Sequence, residues 1–275
     1  CWVDGRKLPL AEATLPLSEP AVLAGLGVFE TLAVQEGRLL ELDEHLSRLY
    51  EGAGRLGIEP PPLERLRFDA IAAADEGKPA LGWLKIVLTG TGRSFVFRGT
   101  LDPMERGRSV SAILLPWRRS LRDPLQGLKT LNYAGNLMGL EAASRKGADE
   151  GLWLNSRGHL AEGCASNLFV VDGSKLFTPR VGEGILPGIV RGLALTAARN
   201  LGLAIHEGRV KLVRLERARE AFLTSSVRGV RPLVTYRNRP LGDGRPGPTT
   251  RRISEEVARL RRVGPGPETG PEGRE

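Results

Sequence analysis

The sequence is poor in the residues that build disulfide frameworks and metal sites. Among its 275 residues are two cysteines and three histidines. Cys1 and Cys164 are too few for a disulfide framework or a cysteine-rich zinc site. The histidines are far apart and lack the short spacing of paired metal ligands; they are His45, His159 and His206. We therefore expect no metal site.

Long apolar runs are also missing. No stretch approaches the roughly 18 consecutive apolar residues that a membrane-spanning helix needs. The first residues lack the charged segment followed by a long apolar segment that is typical of a secretory signal. The apolar share of 41% and the charged share of 26% are ordinary for a globular protein. These features predict a cytoplasmic protein without a membrane partner.

Aromatic residues make up only 5% of the chain, which bears on the meaning of its net charge of +8. A basic excess favours nucleic-acid binding, but surfaces that bind single strands also use aromatic stacking. No aromatic residue interleaves with the densest basic runs, which are Arg118-Arg119, Arg251-Arg252 and Arg261-Arg262. We expect a solvated arginine-rich surface and no nucleic-acid partner.

The length accommodates one large α/β unit or two modest lobes. The segment that follows Trp117 is polar and rich in turn residues, which is typical of a linker. We expect a small N-terminal α/β lobe over 1–118, a linker over 119–126, a larger lobe over 127–263 and a disordered Gly/Pro-rich tail over 264–275.

Apolar periodicity predicts the elements near the chain's unusual groups. Residues 28–34 form a β-like run, and leucines recur at helical spacing from Leu42 to Leu56, where Gly57 ends the predicted helix. Pro187 is typical of the first turn of a helix, which we expect to run to residue 201.

Lysine is scarce, with seven among 40 basic residues, so each one is a candidate for a specific role. Lys129, just beyond the predicted linker, could form a Schiff base with an aldehyde. Glu162, between two predicted strands, could pair with a protonated ring nitrogen. Taken alone, each residue has a more common interpretation, as a solvated loop lysine for Lys129 and as a turn or surface carboxylate for Glu162.

Three further features suit a phosphate group. The turn Gly184–Arg191 opens a helix, whose first N–H groups attract anions. The hydroxyls of Thr224-Ser225-Ser226 end a strand, and Arg48 on the flank of the 42–56 helix could clamp the same anion. A loop-to-helix junction and a surface ion pair between Arg48 and Glu44 are the alternatives. Phosphate, aldehyde and ring nitrogen together describe pyridoxal phosphate.

These segments, in this order, resemble the fold-type IV family of pyridoxal-phosphate enzymes. That family holds branched-chain aminotransferases, D-amino-acid aminotransferases and 4-amino-4-deoxychorismate lyases. The similarity extends from about residue 20 to residue 250. The matching motifs are Gly27-Val-Phe-Glu-Thr31, Glu44-His-Leu-Ser-Arg48, Lys129-Thr-Leu-Asn-Tyr133, Glu162-Gly-Cys-Ala-Ser-Asn167, Gly184-Ile-Leu-Pro-Gly188 and Ala221-Phe-Leu-Thr-Ser-Ser226.

The resemblance implies a two-lobe mixed α/β fold with pyridoxal 5′-phosphate in the cleft, and a homodimer that acts on a small-molecule amino substrate. It implies that Lys129 binds the cofactor covalently and moves protons, and that Glu162 bonds the pyridine nitrogen. The implied phosphate ligands are Arg48, the backbone at Ile189 and Val190, and Ser226. The family often has threonine where this chain has Val190, so only its N–H remains as a ligand. Tyr133 is implied near the O3′ of the cofactor.

Three residues favour a 4-amino-4-deoxychorismate lyase, the member that the chain resembles most. Thr31 falls where such lyases carry a threonine beside the reacting group, so we count it with Lys129 as a catalytic candidate. Lys85 and Arg93 resemble cations that meet substrate carboxylates, and are the substrate-binding candidates. Each also has an ordinary reading, as a strand residue for Thr31 and Lys85 and as a solvated loop residue for Arg93.

The favoured hypothesis is therefore a pyridoxal-phosphate-dependent lyase that eliminates pyruvate and leaves 4-aminobenzoate, a folate precursor. The alternative is an aminotransferase acting on D-amino acids or branched-chain amino acids, since the cofactor residues serve both reactions. A basic binding module without catalysis is a third hypothesis. The visible absorbance of the cofactor would exclude it.

Overall fold

The computed structural model describes residues 1–76 and 80–263. The predicted tail over 264–275 lies outside these residues. The helices are α1 (Pro20–Ala24), α2 (Leu42–Arg55), α3 (Leu63–Asp75), α4 (Ala134–Ser144), α5 (Ile189–Asn200), α6 (Leu212–Glu216) and α7 (Pro248–Val263). The strands are β1 (Trp2–Val3), β2 (Arg6–Lys7), β3 (Gly27–Gln35), β4 (Arg38–Leu39), β5 (Leu81–Thr89), β6 (Ser94–Thr100), β7 (Val110–Arg119), β8 (Glu150–Asn155), β9 (His159–Gly163), β10 (Asn167–Asp172), β11 (Lys175–Pro179), β12 (Ala204–Gly208), β13 (Val210–Lys211), β14 (Glu220–Ser225), β15 (Gly229–Tyr236) and β16 (Arg239–Pro240).

The first sheet has the strand order β2-β1-β6-β5-β3-β4, and every neighbouring pair in it is antiparallel. Helices α2 and α3 cover one of its faces. The leucines at helical spacing in α2 pack there with side chains of α3, β3 and β5, including Leu32, Leu46, Leu66 and Leu84. The predicted strand and the predicted helix of this region are both confirmed.

The opposite face of this sheet carries a different set of side chains. Because residues alternate between faces along a strand, Phe29 and Thr31 point away from the α2 and α3 core that holds Val28 and Leu32. Lys85 pairs directly with Thr31 across β3 and β5, so it shares their face. This face brings a hydroxyl and an ammonium group beside an aromatic ring.

The second sheet closes on itself. Its order is β12-β11-β10-β14-β15-β7-β8-β9-β13, and an additional pairing joins β9 to β10. The strands β10, β14, β15, β7, β8 and β9 therefore form a ring, completed by the pairing of Asn167 with Glu162. The ring encloses an apolar core that includes Leu152, Leu168, Leu223 and Leu233.

Helices cover the ring on two sides. Helices α5 and α7 pack on β10, β14 and β15, with Phe169 and Phe222 stacked 4.7 Å apart between ring centroids. The core that holds Ala143 of α4 also contains Leu115, Trp153 and Cys164. The two sheets with their helices confirm the predicted two-lobe mixed α/β fold.

The junction between the lobes is a backbone pairing. The Phe29 N–H donates to the Lys129 carbonyl at 2.9 Å, and the Leu131 N–H donates to the Gly27 carbonyl at 2.9 Å. The segment that follows the expected linker therefore lies along β3 of the first sheet. Strand β7 crosses the expected boundary at residue 118, yet it pairs with β8 and β15 in the second sheet.

Within residues 1–76 and 80–263, no helix combines the length and apolar character required to span a bilayer.

Candidate active site

A cavity of about 660 Å³ lies between the lobes. The first sheet and α2 contribute Phe29, Thr31 and Arg48 to its wall. The second lobe contributes most of the other predicted site residues, namely Lys129, Tyr133, Glu162, Ile189, Val190 and Ser226. The structure thus brings together side chains that are far apart in the sequence.

Lys129 lies at the inter-lobe junction. Its Nζ is 4.3 Å from the centroid of the Phe29 ring and 5.6 Å from that of the Tyr133 ring. Burial lowers the pKa of Lys129 to about 8, since the opposing effects of Glu30 and Glu162 do not outweigh it. A larger fraction of this amine is neutral near pH 7 than of an exposed lysine, which suits a nucleophile.

Glu162 completes the strand ring and faces the cavity. Its Oε2 accepts hydrogen bonds from Asn167 Nδ2 at 2.9 Å and from the Leu186 N–H at 3.0 Å. Its Oε1 accepts one from Arg119. Burial raises its pKa in spite of Arg119. Because a carboxylate has about four lone-pair positions, one remains for a further N–H donor.

Arg119 is a site residue that the sequence reasoning missed, because the run Arg118-Arg119 was expected on a solvated surface. Its guanidinium bonds Glu162, donates to Asn136 Oδ1 at 2.5 Å and lies 5.1 Å from the Trp153 ring centroid. Trp117, two residues earlier in the sequence, was the available signal, since arginine side chains pack on aromatic faces. The expectation of a solvated Arg119 is wrong.

Tyr133 follows Lys129 by four residues and stands at the start of α4. Its hydroxyl donates to the Cys164 carbonyl at 2.8 Å, and its ring meets that of Phe29 edge-on, with centroids 5.3 Å apart. Burial raises the pKa of Tyr133 well above its usual range, so the hydroxyl stays protonated. Its predicted proximity to O3′ of the cofactor stays a prediction.

Arg48 is held by a buried carboxylate, Glu30. The Arg48 Nε and Nη2 donate to the two carboxylate oxygens at 2.7 and 2.8 Å, and Nη1 reaches across the cleft to the Pro187 carbonyl at 2.8 Å. The guanidinium has further N–H groups, so it can still bind an anion. Glu30 belongs to the Gly27–Thr31 motif, but the sequence reasoning gave it no role. A charged residue within an apolar strand was the signal that could have found it, since a buried charge requires a partner.

His45 binds the same carboxylate through Nδ1 at 2.7 Å. Burial alone would raise the pKa of Glu30, but the hydrogen bonds from His45 and Arg48 lower it to about 2. Burial lowers the pKa of His45. Glu30 is therefore ionised and His45 neutral, so the negative charge of Glu30 balances the positive charge of Arg48 and the group as a whole is neutral.

The N-terminus of α5 opens on the cavity. Gly188 is the N-cap residue and has no side chain to satisfy the first N–H groups, so those of Ile189 and Val190 are suited to a bound anion. A Cβ at Gly188 would lie 1.9 Å from Asn167 Oδ1, which explains the glycine. Pro187 was expected in the first helical turn, but it precedes the N-cap.

Thr224 and Ser226 complete this end of the cavity, at the end of β14 and the start of the turn to β15. The Thr224 hydroxyl is buried without a partner among the residues that the structure describes. A buried hydroxyl without a hydrogen bond is costly, so the Thr224 hydroxyl in the wall of the cavity is suited to a hydrogen bond with a polar ligand group. The Ser226 carbonyl accepts a hydrogen bond from Arg261 Nη2 at 2.8 Å.

The two candidate substrate cations lie in different places. The Nζ of Lys85 is 5.2 Å from the centroid of the Phe29 ring, on the side of the small sheet that faces the site. Neither Lys85 nor Arg93 is in the wall of this cavity. The guanidinium of Arg93 binds Asp4 at 2.8 Å and the Thr14 carbonyl at 3.4 Å. The structure therefore groups Lys85 with Thr31 and Lys129, while a substrate role for Arg93 stays a prediction.

Similarity to known proteins agrees with this geometry. The sequence profile of the class IV amino-transferase family matches residues 27–236. The chain belongs to this family. It is 31% identical to the branched-chain-amino-acid aminotransferase of Escherichia coli (strain K12), over 92% of this chain and 90% of that protein. It is 28% identical to the aminodeoxychorismate lyase of Bacillus subtilis (strain 168), over 85% of each.

A solved structure of the branched-chain aminotransferase from Thermoproteus uzoniensis matches with a TM-score of 0.86. It is 25% identical and covers 94% of this chain and 93% of that chain. Class IV enzymes depend on pyridoxal 5′-phosphate, and the chain is an enzyme of this class.

The cavity fits the class IV cofactor on the evidence of its own residues. Its wall offers an amine with a lowered pKa at Lys129 and a carboxylate with a free lone pair at Glu162. At the other end, the unpartnered Thr224 hydroxyl and the uncapped N-terminus of α5 lie in the same wall as Arg48. Among the described residues, no cluster of His, Cys, Asp and Glu is arranged to bind a metal.

Proposed function

We propose that this class IV enzyme is a lyase that acts on 4-amino-4-deoxychorismate and releases pyruvate and 4-aminobenzoate. The observation that carries the proposal is the grouping of three side chains around the Phe29 ring. Lys129 and Lys85 place their Nζ atoms 4.3 and 5.2 Å from its centroid, and Thr31 is paired with Lys85 on the adjacent strand.

This grouping suits a polar, anionic substrate. The lyase substrate carries two carboxylates, and cations at the edge of a site favour anionic ligands. The side chain of a branched-chain amino acid is apolar, and it gains nothing from an ammonium group in a half-buried position. Lys85 therefore favours the lyase over an aminotransferase for branched-chain substrates.

The phosphate of the cofactor would be held between the lobes. The N–H groups of Ile189 and Val190, with the helix dipole behind them, suit its negative charge. Arg48 would add N–H donors from the opposite lobe, and the hydroxyls of Thr224 and Ser226 would complete the cradle. Val190 contributes its backbone alone, because its side chain has no hydrogen-bonding group.

The reacting end would be organised by Glu162, Lys129 and Thr31. When bound, pyridoxal phosphate supplies a conjugated ring that accepts an electron pair. Glu162 would keep the ring nitrogen protonated through its free lone pair. Lys129 would take the proton from the substrate carbon at Nζ, since its lowered pKa leaves part of the amine neutral. Thr31 would lie beside the leaving enolpyruvyl group, with Lys85 at a carboxylate.

Three wider expectations belong to the same proposal. The lobes would divide between residues 100 and 110 rather than at 118, because β7 belongs to the second sheet.

The protein would be a cytoplasmic homodimer. Several exposed apolar side chains of the N-terminal region are suited to burial by a second copy, namely Leu10, Leu17, Val22 and Leu23. Sedimentation or light scattering of the purified protein tests the dimer.

The decisive experiment supplies 4-amino-4-deoxychorismate to the purified holoenzyme and measures pyruvate and 4-aminobenzoate together. We expect pyruvate and 4-aminobenzoate in equal amounts when no keto acid is added as an amino acceptor. Lys85→Met should lower kcat/KM by roughly 10- to 100-fold, whereas Lys146→Met, at an exposed lysine outside the cavity wall, should leave it unchanged.

The second candidate function is that of a class IV aminotransferase. The identity of 31% to the Escherichia coli branched-chain aminotransferase, against 28% to the Bacillus subtilis lyase, favours it. An aminotransferase would need a keto acid for turnover. Transfer of an amino group from D-alanine or leucine to 2-oxoglutarate, without 4-aminobenzoate in the first assay, would contradict the lyase.

A further inference from the structure

A buried ion pair joins the last helix to the small lobe. Arg261 of α7 donates from Nε and Nη2 to the two carboxylate oxygens of Glu41, at 2.9 and 2.6 Å. The side chains are only 2% and 8% exposed, although 220 residues separate them. Because the run Arg261-Arg262 was expected on the solvated surface, that expectation is wrong for Arg261.

The pair has an unusual backbone at one end. Glu41 is the residue before α2 and has a φ of 54°, in the left-handed region that is unfavourable for a residue with a side chain. Its carboxylate does not cap α2. The Glu41 carboxylate instead contacts Arg261 and so links the lobes, while the Glu41 carbonyl accepts the first hydrogen bond of α2 from the His45 N–H at 3.1 Å.

Arg261 also donates a hydrogen bond to a turn in the wall of the cavity. The Nη2 that contacts Glu41 donates to the Ser226 carbonyl at 2.8 Å, at the start of the turn that lines the cavity between β14 and β15. On the other side, Glu41 leads directly into α2, and α2 carries Arg48. The pair therefore connects the two parts of the proposed phosphate cradle that come from different lobes.

We propose that Glu41 and Arg261 form an inter-lobe latch that holds the Ser226 turn in register with Arg48, which makes Arg261 a positioning residue for the cofactor phosphate. The inference rests on the phosphate placement proposed above. A second bond across the cleft, from Arg48 Nη1 to the Pro187 carbonyl, fixes the α5 side of the same cradle. Together, the Glu41–Arg261 pair and the Arg48–Pro187 hydrogen bond set the distance between the lobes at the phosphate end of the cavity.

Stability alone does not account for the latch. Replacing a buried ion pair by apolar side chains of similar size is often neutral or stabilising, so such a pair is weak evidence for a stabilising role. Arg261 also keeps a buried Nη1 without a partner among the described residues, which adds a cost. A function in positioning explains why charged groups occupy this place.

The test follows the cofactor as it leaves the holoenzyme. Pyridoxal phosphate is released by dilution into a scavenger and followed by loss of visible absorbance, and the protein loaded with pyridoxal, which lacks the phosphate, is treated in parallel. We expect Arg261→Met to release pyridoxal phosphate about tenfold faster and pyridoxal at an unchanged rate. Glu41→Gln, a milder change, should act in the same direction. The matched control is Arg262→Met, at the exposed neighbour, with wild-type rates.

A double variant separates positioning from stability. Glu41→Met with Arg261→Met removes both charges and should restore the thermal midpoint while the fast release remains. Release that returns to the wild-type rate together with the midpoint, or equal acceleration for pyridoxal, would overturn the latch.

Arg48→Gln distinguishes this outcome from failure of the phosphate placement. If it speeds release and Arg261→Met does not, the placement stands and the latch is wrong. If neither variant matters, both are wrong.

Discussion

The Lys129 ammonium of the large lobe lies 4.3 Å from the centroid of the Phe29 ring of the small lobe, and the Phe29 N–H donates to the Lys129 carbonyl at 2.9 Å. Backbone and side chain of the lysine thus both contact one residue of the other lobe. The position of the amine is therefore set by the way the lobes join, and not by its own loop alone.

The first prediction concerns Lys129 itself. Lys129→Ala should abolish turnover and the covalent attachment of the cofactor, and so change its absorbance spectrum, because it removes the amine without opening the strand pairing at its backbone. Absorbance spectra and product assays check this. Lys175→Ala, at an exposed lysine on β11, is the control. Undiminished activity in Lys129→Ala would show that another group does the chemistry.

The second prediction is a pH dependence. The pKa of Lys129 is lowered from 10.5 to about 8, mainly by burial, and only the neutral amine attacks an aldehyde. Capture of pyridoxal phosphate by cofactor-free protein should therefore speed up about tenfold per pH unit below pH 8 and level off above it. Lys85→Ala removes a nearby positive charge and should move the midpoint upward. A wild-type midpoint near 10.5 would contradict the lowered pKa.

The third prediction concerns the buried group around Glu30. Removing one partner of a buried ion pair is strongly destabilising, so Glu30→Gln should lower the free energy of unfolding by about 3 kcal/mol at pH 7. The pKa of Glu30 falls from 4.5 to about 2 on folding, so its contribution is complete above pH 4.5 and lost as the pH drops towards 2. Wild type and variant should therefore converge in acid.

Urea unfolding at pH 7 and pH 3 measures the Glu30 effect. Glu44→Gln changes an exposed carboxylate on the first turn of α2 and should have little effect at either pH. A constant difference between Glu30→Gln and wild type across this range would mean that ionised Glu30 is not the source of the stabilisation.

The fourth prediction concerns the N-cap of α5. Gly188→Ala places a methyl group 1.9 Å from Asn167 Oδ1, and Asn167 also donates to Glu162 and to the Leu186 carbonyl. The displaced amide should cost about 1–3 kcal/mol of stability and weaken cofactor binding. Gly192→Ala, with no neighbour within 4 Å of the new carbon, should instead stabilise α5. Thermal midpoints and cofactor titrations compare the two.

Much of the fold could be predicted from the sequence, because local patterns determine it. The helical spacing from Leu42 and the stop at Gly57 predict α2, and Gly57 has a φ of 70°, which suits a glycine. Pro187 was placed in the first helical turn because proline is typical there. The carbonyl of Pro187 is instead used by Arg48 from the other lobe. Sequence periodicity does not encode such a contact.

The site residues divide in the same way, into those that local motifs predict and those that depend on distant contacts. Lys129, Glu162 and Arg48 came from motifs, and the structure gathers them in one cavity. Arg119 and Arg261 could not be recognised, because both belong to paired arginines that look like solvated surface. Their burial depends on partners far away in the chain, Glu162 and Glu41. Charged residues whose partners are distant cannot be assigned from composition.

The ring of six strands has a consequence for how the protein acquires its activity. Glu162 and Asn167 meet where β9 joins β10, but the ring also needs the pairing of Val110 with Leu233 from opposite ends of the large lobe. Pairings that are distant along the chain make folding slow. Before β15 has been synthesised, the ring of a nascent chain cannot close and its binding site is incomplete. Binding of the cofactor then draws the folding equilibrium towards the closed ring, so that its uptake reports the completion of folding.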